Sequence, residues 1–332
     1  MPIYNAENYL EDTINSIINQ SIGFDNIELI LIDDFSTDGS KKIIESYSNQ
    51  YSNIVPFYSS KNHGHPGFGR NVGLEKATSE YIMFMDNDDE LDKDICKLLY
   101  ETIVAENADV VCCDTVIIDP ISVKKRNADY GSGIEKENFI IITGDDIIYF
   151  RDMALWNKIY KKNIIYSNDI KFEENTYVDD LVFVVSYFLN SKKLIYLKDY
   201  FGYIYNSRSD SLSHDVKKEH VEEIITGINN LNNVFKKENK QEFANKILTD
   251  NTSFIMLQCS YLNENKSETE KILREFHDFE IKNNIYKLNY QWMNFINYFI
   301  LREHYLVAML LLKTLDKIRG FEILRKINRK IK

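Results

Sequence analysis

Several groups of side chains in this sequence could act together chemically. The run Asp86-Asn87-Asp88-Asp89 puts three carboxylates into four residues, directly after the apolar segment Tyr81 to Met85. Carboxylates this close repel one another and raise each other's pKa, and a bound cation relieves the repulsion. Asp86 and Asp88, two apart around a turn, can face one ion. Hard oxygen ligands favour Mg²⁺ or Mn²⁺, and such ions usually share their coordination between a few carboxylates and a substrate's phosphates. A second pair, Asp33-Asp34, ends the apolar run Ile27 to Ile32. Between the two lies the loop His63-Gly64-His65-Pro66-Gly67-Phe68-Gly69-Arg70-Asn71. Its glycines permit close backbone approach to a ligand, and Arg70 offers a forked phosphate partner at a helix start. Each feature has a plainer reading. An isolated D-x-D is more often an acidic turn, here capping the next helix through Asp89 or Asp92. The loop can be only a flexible turn, and His63 and His65 read as ordinary loop histidines. Asp179-Asp180 can simply cap the apolar helix Leu181 to Leu189.

The elements that must position these groups alternate between two periods. Leu10, Ile14, Ile17 and Ile18 share a helical face, with Asn5 placed to cap that helix. Strands are expected at 27–32, 54–58, 81–85 and 109–118. Helices are expected from Ser36-Thr37-Asp38, near Arg70 to Ala77, and from Asp92 to Glu106. This alternation predicts an α/β fold, a mostly parallel sheet flanked by helices. In such sheets ligands bind beyond the carboxyl ends of the strands, which is where Asp33-Asp34 and Asp86 to Asp89 fall. Residues 119–140 are polar and read as a loop or lid. Beyond Asp215 the pattern is helical throughout, so the expected division is 1–214, with halves 1–118 and 119–214, and an all-helical region 215–332.

Composition narrows the classes. The chain has 332 residues, 44% apolar and 27% charged, with a formal net charge of -11. That charge argues against a nucleic-acid partner, which would call for a basic footprint. The four cysteines include no C-x-x-C pair and read as buried thiols. No signal peptide is visible and no apolar stretch reaches membrane-spanning length. The expectation is a soluble, cytoplasmic protein. Arg302 to Lys332 carries nine Lys/Arg against three Asp/Glu on this acidic body. With Ile318, Phe321, Ile323, Leu324 and Ile327 interleaved, it fits either a peripheral helix on an anionic inner membrane face or self-association through 215–332, the second slightly preferred.

Taken in order, the motifs resemble those of family 2 of the inverting glycosyltransferases, which has a GT-A fold. Pro2-Ile3-Tyr4-Asn5 is similar to that family's P-x-Y-N turn, and Asp33-Asp34-Phe35-Ser36-Thr37-Asp38 to its D-D-x-S-x-D segment. Gly69-Arg70-Asn71-Val72-Gly73-Leu74 resembles A-R-N-x-G-L, with glycine for alanine. Tyr81 to Asp89 resembles Y-I-x-F-L-D-S-D-D. Trp156-Asn157-Lys158-Ile159-Tyr160, Asp179-Asp180-Leu181-Val182-Phe183 and Arg208-Ser209-Asp210-Ser211 resemble W-N-K-L-Y, E-D-x-x-F and R-x-x-S. The resemblance covers residues 2–214 and not 215–332.

It implies a UDP-sugar donor, a glycan or lipid-linked acceptor such as a polysaccharide or a teichoic-acid-like polymer, and Mn²⁺ or Mg²⁺. Pro2, Tyr4 and Asp34 would lie at the uracil end, and Arg70 near the donor ribose or diphosphate. Asp86 would contact the donor, Asp88 with Asp86 would hold the metal, and Arg208 and Ser211 would close over the diphosphate. Asp180 would be the general base; Trp156, Lys158 and Asp179 would lie on the acceptor side. Two features depart from the pattern. Asp179 replaces a glutamate, and Met1 directly precedes Pro2, where the family carries an apolar central strand. The expectation is a chain truncated or begun at a late methionine, with lower stability and weak donor binding if it is natural as given. Two other functions fit less well. A metal-dependent nucleotidyltransferase would want a basic glycine-rich loop near the N-terminus. A degenerate nucleotide- or carbohydrate-binding module would tolerate replacement of Asp88 or Asp180.

Overall fold

A computed structural model describes residues 1–207, 218–259, 266–283 and 291–319, with Ile285, Tyr286 and Leu288. The chain divides into two compact units. One comprises Met1–Asn175 and Asp179–Ser209, the other Thr176–Val178 and Asp210–Lys332.

The elements of the first unit are β1 (Pro2–Ile3), α1 (Leu10–Ile18), β2 (Leu29–Asp33), α2 (Ser40–Gln50), β3 (Ile54–Tyr58), α3 (Pro66–Lys76), β4 (Tyr81–Met83), β5 (Glu90–Leu91), α4 (Ile95–Ala105) and β6 (Val110–Asp119). They continue with β7 (Ser122–Arg126), β8 (Ile134–Glu135), β9 (Ile140–Thr143), β10 (Lys158–Lys161), α5 (Lys162–Ser167), α6 (Asp179–Leu189) and β11 (Lys193–Asn206). β1, β2 and β3 form a parallel sheet in that order. All five residues of β2 are buried, as expected for a continuous apolar run covered on both faces. The remaining strands make a mixed sheet of order β4-β10-β6-β11-β9-β8, with β5 on β11 and β7 on β6. Its parallel pair is β6 with β11, and its other pairs are antiparallel. The apolar stripe of α1 (Leu10, Ile14, Ile17) joins Leu31, Leu99, Val111 and Ile195 in one core.

Local differences from the sequence reading have identifiable causes. Asn5 does not cap α1, which begins at Leu10. Asn5 takes a positive φ of 47°, and its Oδ1 accepts the Thr37 N–H at 2.8 Å. Helix α2 begins at Ser40, because Ser36 and Asp38 are used across the chain. Ser36 Oγ accepts the Asn5 N–H, and Asp38 Oδ2 accepts that of Glu7. The stretch 119–140, read as a loop or lid, contains β7, held to the end of β6 through a turn fixed by Asp119. Pairing at the amino end starts at once: the Met1 carbonyl accepts the Ile32 N–H, and Pro2 and Ile3 pair with Ile32 and Asp33.

The second unit is helical: α7 (Lys218–Lys237), α8 (Gln241–Cys259), α9 (Lys266–Asn283), α10 (Gln291–Ile300) and α11 (Tyr305–Arg319). Ile228, Leu231, Phe235, Ile272, Phe276 and Ile296 are buried in it. The apolar stretch Tyr298 to Leu312 is broken by a turn at 301–304 and leaves Tyr298, Leu306 and Leu310 about half exposed. Among the described residues, no helix is long and apolar enough to cross a membrane. Phe321, Ile323, Leu324 and Ile327 of the basic tail lie outside the described residues.

Candidate active site

The acidic run follows β4 and is held from three sides. Thr13 Oγ1 donates to the carbonyls of Asn87 (3.1 Å) and Asp89 (2.9 Å), and Asn87 Nδ2 donates to Pro2 O at 3.0 Å. From β11, Asn206 Nδ2 donates to Asp88 O at 3.0 Å. Asp89 is fully buried. Its Oδ2 accepts the Tyr203 hydroxyl at 2.7 Å and its Oδ1 the Asn206 N–H at 2.8 Å. It is therefore not a helix cap, since α4 begins only at Ile95, but a strut between the run and β11. Burial, then the charges of Asp86 and Asp88, push its carboxyl up to about 8. Asp86 and Asp88 stay half-buried. Among the described residues no three His, Cys, Asp or Glu side chains are grouped to hold a metal ion, so any ion here would need oxygens from a ligand as well.

Arg70 is the centre of the second cluster. The α3 helix begins at Pro66, so Arg70 stands a turn inside it rather than at its start, and it is only 7% exposed. Its Nη1 donates to Asp179 Oδ2 at 2.7 Å and its Nη2 to Asp86 Oδ1 at 3.0 Å. Burial opposes its charge, but Asp179, Asp86 and Asp180 outweigh that and hold the guanidinium charged. Arg70, expected beside the donor's ribose or diphosphate, thus bridges two carboxylates. Asp179, expected on the acceptor side, is buried and faces Arg70; burial raises its pKa against that opposing charge. Asp180, in the first turn of α6, is half-buried, and its Oδ1 accepts the Leu181 N–H at 2.7 Å. Burial and then the charge of Asp179 push it up to about 6, with Arg70 pulling the other way.

The glycines beside Arg70 bring the chain close to itself rather than to a ligand. A Cβ on Gly67 would sit 2.1 Å from the Glu173 carbonyl oxygen, and one on Gly69 would sit 3.0 Å from Pro2 Cβ. Asn71 completes this seam: its Oδ1 accepts the Phe172 N–H and its Nδ2 donates to Phe172 O, each at 2.9 Å.

At the ends of β1 and β2, Pro2 is half-buried, Tyr4 is half exposed and Asp34 is buried. The Asp34 carboxylate is met by His63, a residue the sequence reading set aside. Trp156 stacks on Tyr203 with ring centroids 4.0 Å apart, and lies parallel to Tyr205 at 5.8 Å with Arg126 over its ring at 5.7 Å. Tyr203 also binds Asp89, so this aromatic wall runs into the acidic run. Lys158, expected on the acceptor side, is instead wholly buried. Its ammonium donates to Ala154 O (2.6 Å) and Asn157 Oδ1 (2.7 Å) beside Asp152. Arg208 and Ser211 lie outside the described residues. Tyr203, Asn206 and Arg126 carried no signal in their spacing; two of them lie in the tyrosine-rich β11.

Residues 1–164 match the sequence profile of Glycosyl transferase family 2. The chain is similar to the cholesterol galactosyltransferase of Borreliella burgdorferi, 30% identical over 71% of this chain and 66% of that one. It is also similar to the poly(ribitol-phosphate) beta-N-acetylglucosaminyltransferase TarS of Staphylococcus aureus, 30% identical over 60% of this chain and 33% of that one. The match thus spans about a third of TarS. The crystal structure of S. aureus TarS 1-349 in complex with UDP-GlcNAc superposes with a TM-score of 0.73 at 22% identity, covering 95% of this chain and 90% of that one. This chain belongs to family 2 of the glycosyltransferases and has its GT-A-type fold, followed by a helical region.

Proposed function

We propose that this protein transfers a hexosyl or N-acetylhexosaminyl group from a UDP-sugar to a hydroxyl of a teichoic-acid-like or other glycan acceptor, with inversion and with Asp180 as general base. The reading rests on one observation above all. Asp180 stands in one electrostatic cluster with Asp179, Arg70 and Asp86, and its carboxyl is pushed up to about 6. A general base works best with a pKa near the working pH, and a carboxyl at about 6 is still mostly ionised at neutral pH. It would take the acceptor's hydroxyl proton as that oxygen attacks the anomeric carbon and the UDP oxygen leaves from the opposite face. One displacement inverts the centre and needs no covalent nucleophile. The kinship with transferases of poly(ribitol-phosphate) and of a sterol supports a hydroxyl-bearing acceptor of the cell envelope.

Asp88, with Asp86, would hold Mn²⁺ or Mg²⁺. The state of Asp89 supports this reading: these two charges help to raise it, so the run has negative potential to spare for a cation. When bound, the ion would act as a Lewis acid on the leaving diphosphate. Arg70 would orient Asp86 and Asp179 rather than grip phosphate. Tyr4 and Asp34 would receive the base, Arg208 and Ser211 would cover the diphosphate, and Trp156 would line the acceptor side.

The test is UDP release from a panel of UDP-sugars with Mn²⁺. Asp180→Asn is expected to lose roughly 10²–10⁴-fold in kcat while binding UDP like the wild type. No UDP release by wild type from any donor, with or without a poly(ribitol-phosphate) acceptor, would favour a binding module instead.

A further inference from the structure

The Asp34–His63 pair carries an assignment beyond the donor reading. Asp34 directly follows β2 and is fixed at four points. Its N–H donates to Ile3 O (2.8 Å), and its carbonyl accepts Asn62 Nδ2 (3.1 Å). Its two carboxylate oxygens are both met by one residue. Oδ2 accepts the His63 backbone N–H at 2.8 Å, and Oδ1 lies 2.6 Å from His63 Nδ1. A carboxylate only accepts, so the imidazole donates here through Nδ1–H. The ring is itself held flat on Phe68, with centroids 3.5 Å apart and planes 15° apart. Asp34 therefore cannot rotate about its terminal bond without breaking two hydrogen bonds, one of them in a stacked, mostly buried pair.

A carboxylate has about four lone-pair directions, and His63 takes one on each oxygen. The others remain for a further N–H donor. Tyr4 and Phe35, in the adjoining strand-end turns, are half exposed, so both turns present apolar ring surface to solvent. A flat heterocycle with an imide N–H has the matching chemistry. We propose that His63 is a positioning residue of the nucleobase pocket, holding the Asp34 carboxylate in the orientation that accepts the N3–H of uracil. This rests on the reading that Asp34 meets the base.

The experiment measures UDP and N3-methyl-UDP affinity by calorimetry with Mn²⁺, for wild type, Asp34→Asn, His63→Leu and His63→Asn. Leucine fills the space against Phe68 without donating. Asparagine places an amide Nδ2–H where the imidazole Nδ1–H stands. H63L is expected to raise the Kd for UDP roughly tenfold, the worth of one charge-assisted hydrogen bond, and to leave N3-methyl-UDP unchanged. H63N is expected to return UDP to within about threefold of wild type. Should H63L fail to fold, His63→Gln, whose amide overreaches Oδ1, takes its place. Equal weakening of both ligands would reduce His63 to a structural residue and overturn the assignment, as would an H63L that binds UDP like the wild type. If instead wild type fails to prefer UDP over N3-methyl-UDP and D34N binds both normally, it is the placing of the base at Asp34 that fails.

Discussion

Replacing Arg70 by leucine tests the central cluster most directly. Arg70 and Asp179 are nearly wholly buried and 2.7 Å apart, while Asp86, at 3.0 Å, is about a third exposed. The Asp179 link therefore dominates. Removing one partner of a buried pair leaves an uncompensated charge and costs roughly 3–5 kcal/mol. The Asp86 link, nearer water, is worth about 1 kcal/mol at most. The cost has a ceiling, because a stranded Asp179 can take up a proton instead. In a unit of this size the loss corresponds to roughly 6–20 °C in Tm. Arg70→Leu/Asp179→Leu removes both charges together and is expected to recover at least half of the loss, since a buried ion pair is often replaceable by apolar groups. Activity reports separately. Arg70 pulls the Asp180 carboxyl down, so its loss must move the acid limb of the rate–pH profile above about 6. Urea denaturation of the two variants and Asp179→Leu gives the coupling energy. A coupling below about 0.5 kcal/mol, the range of independent sites, together with an unmoved acid limb, would refute the reasoning.

Two other outcomes follow from the same geometry. Asp89 has a folded pKa of about 8 against an ordinary 3.8. A raised carboxyl contributes stability at low pH that is lost as pH rises through its folded pKa. Wild type should therefore lose stability relative to Asp89→Asn between about pH 4 and 8, by about 1 kcal/mol per pH unit at the steepest. Denaturation at a series of pH values without divalent metal checks this, and parallel pH curves would contradict it. Lys158→Met leaves the buried Asn157 Oδ1 and Ala154 carbonyl without their ammonium donor, while Asp152 keeps Arg126 at 3.3 Å. It should cost about 2–4 kcal/mol yet leave the KM for acceptor within about twofold in the protein that remains folded, because Lys158 has no exposed surface; a large KM change would restore it to the acceptor side.

The strand ends were legible in the sequence because one-dimensional signals mark them. The apolar runs before Asp33 and Asp86 carry β2, which is buried and runs through Asp33, and β4, which is half-buried and ends at Met83 with Phe84 and Met85 buried beyond it. The contacts that could not be read are those made with a partner far along the chain. Arg70 meets Asp179 over a separation of 109 residues and Tyr203 meets Asp89 over 114. No periodicity encodes such a pairing. Lys158 failed for another reason: a lysine in a motif suggests a surface cation, but the turn at 152–157 folds three oxygens around it. His63 read as an ordinary loop histidine, although its ring meets the carboxylate that directly follows β2. The glycine loop shows the same limit. Its composition permits close approach, and only the fold reveals that the approach is to Glu173 and Pro2.

The electrostatics of the cluster explain why these pairings matter for the proposed chemistry. Among the described residues, Asp86, Asp179 and Asp180 share one neighbourhood with the Arg70 guanidinium, which is already committed to two of them. A nucleoside diphosphate is itself anionic, so on the proposed reading it would need positive charge beyond that of Arg70. On the proposed reading, a divalent cation held by Asp88 and Asp86 would supply that charge. It would also compete with Arg70 for Asp86, leaving the guanidinium to act more strongly on Asp179 and Asp180. On this view donor binding and the basicity of Asp180 are coupled through Arg70. The ion that would admit the diphosphate would also let the arginine hold the proposed base ionised, so that the base would be ready only when a donor is present for the acceptor to attack.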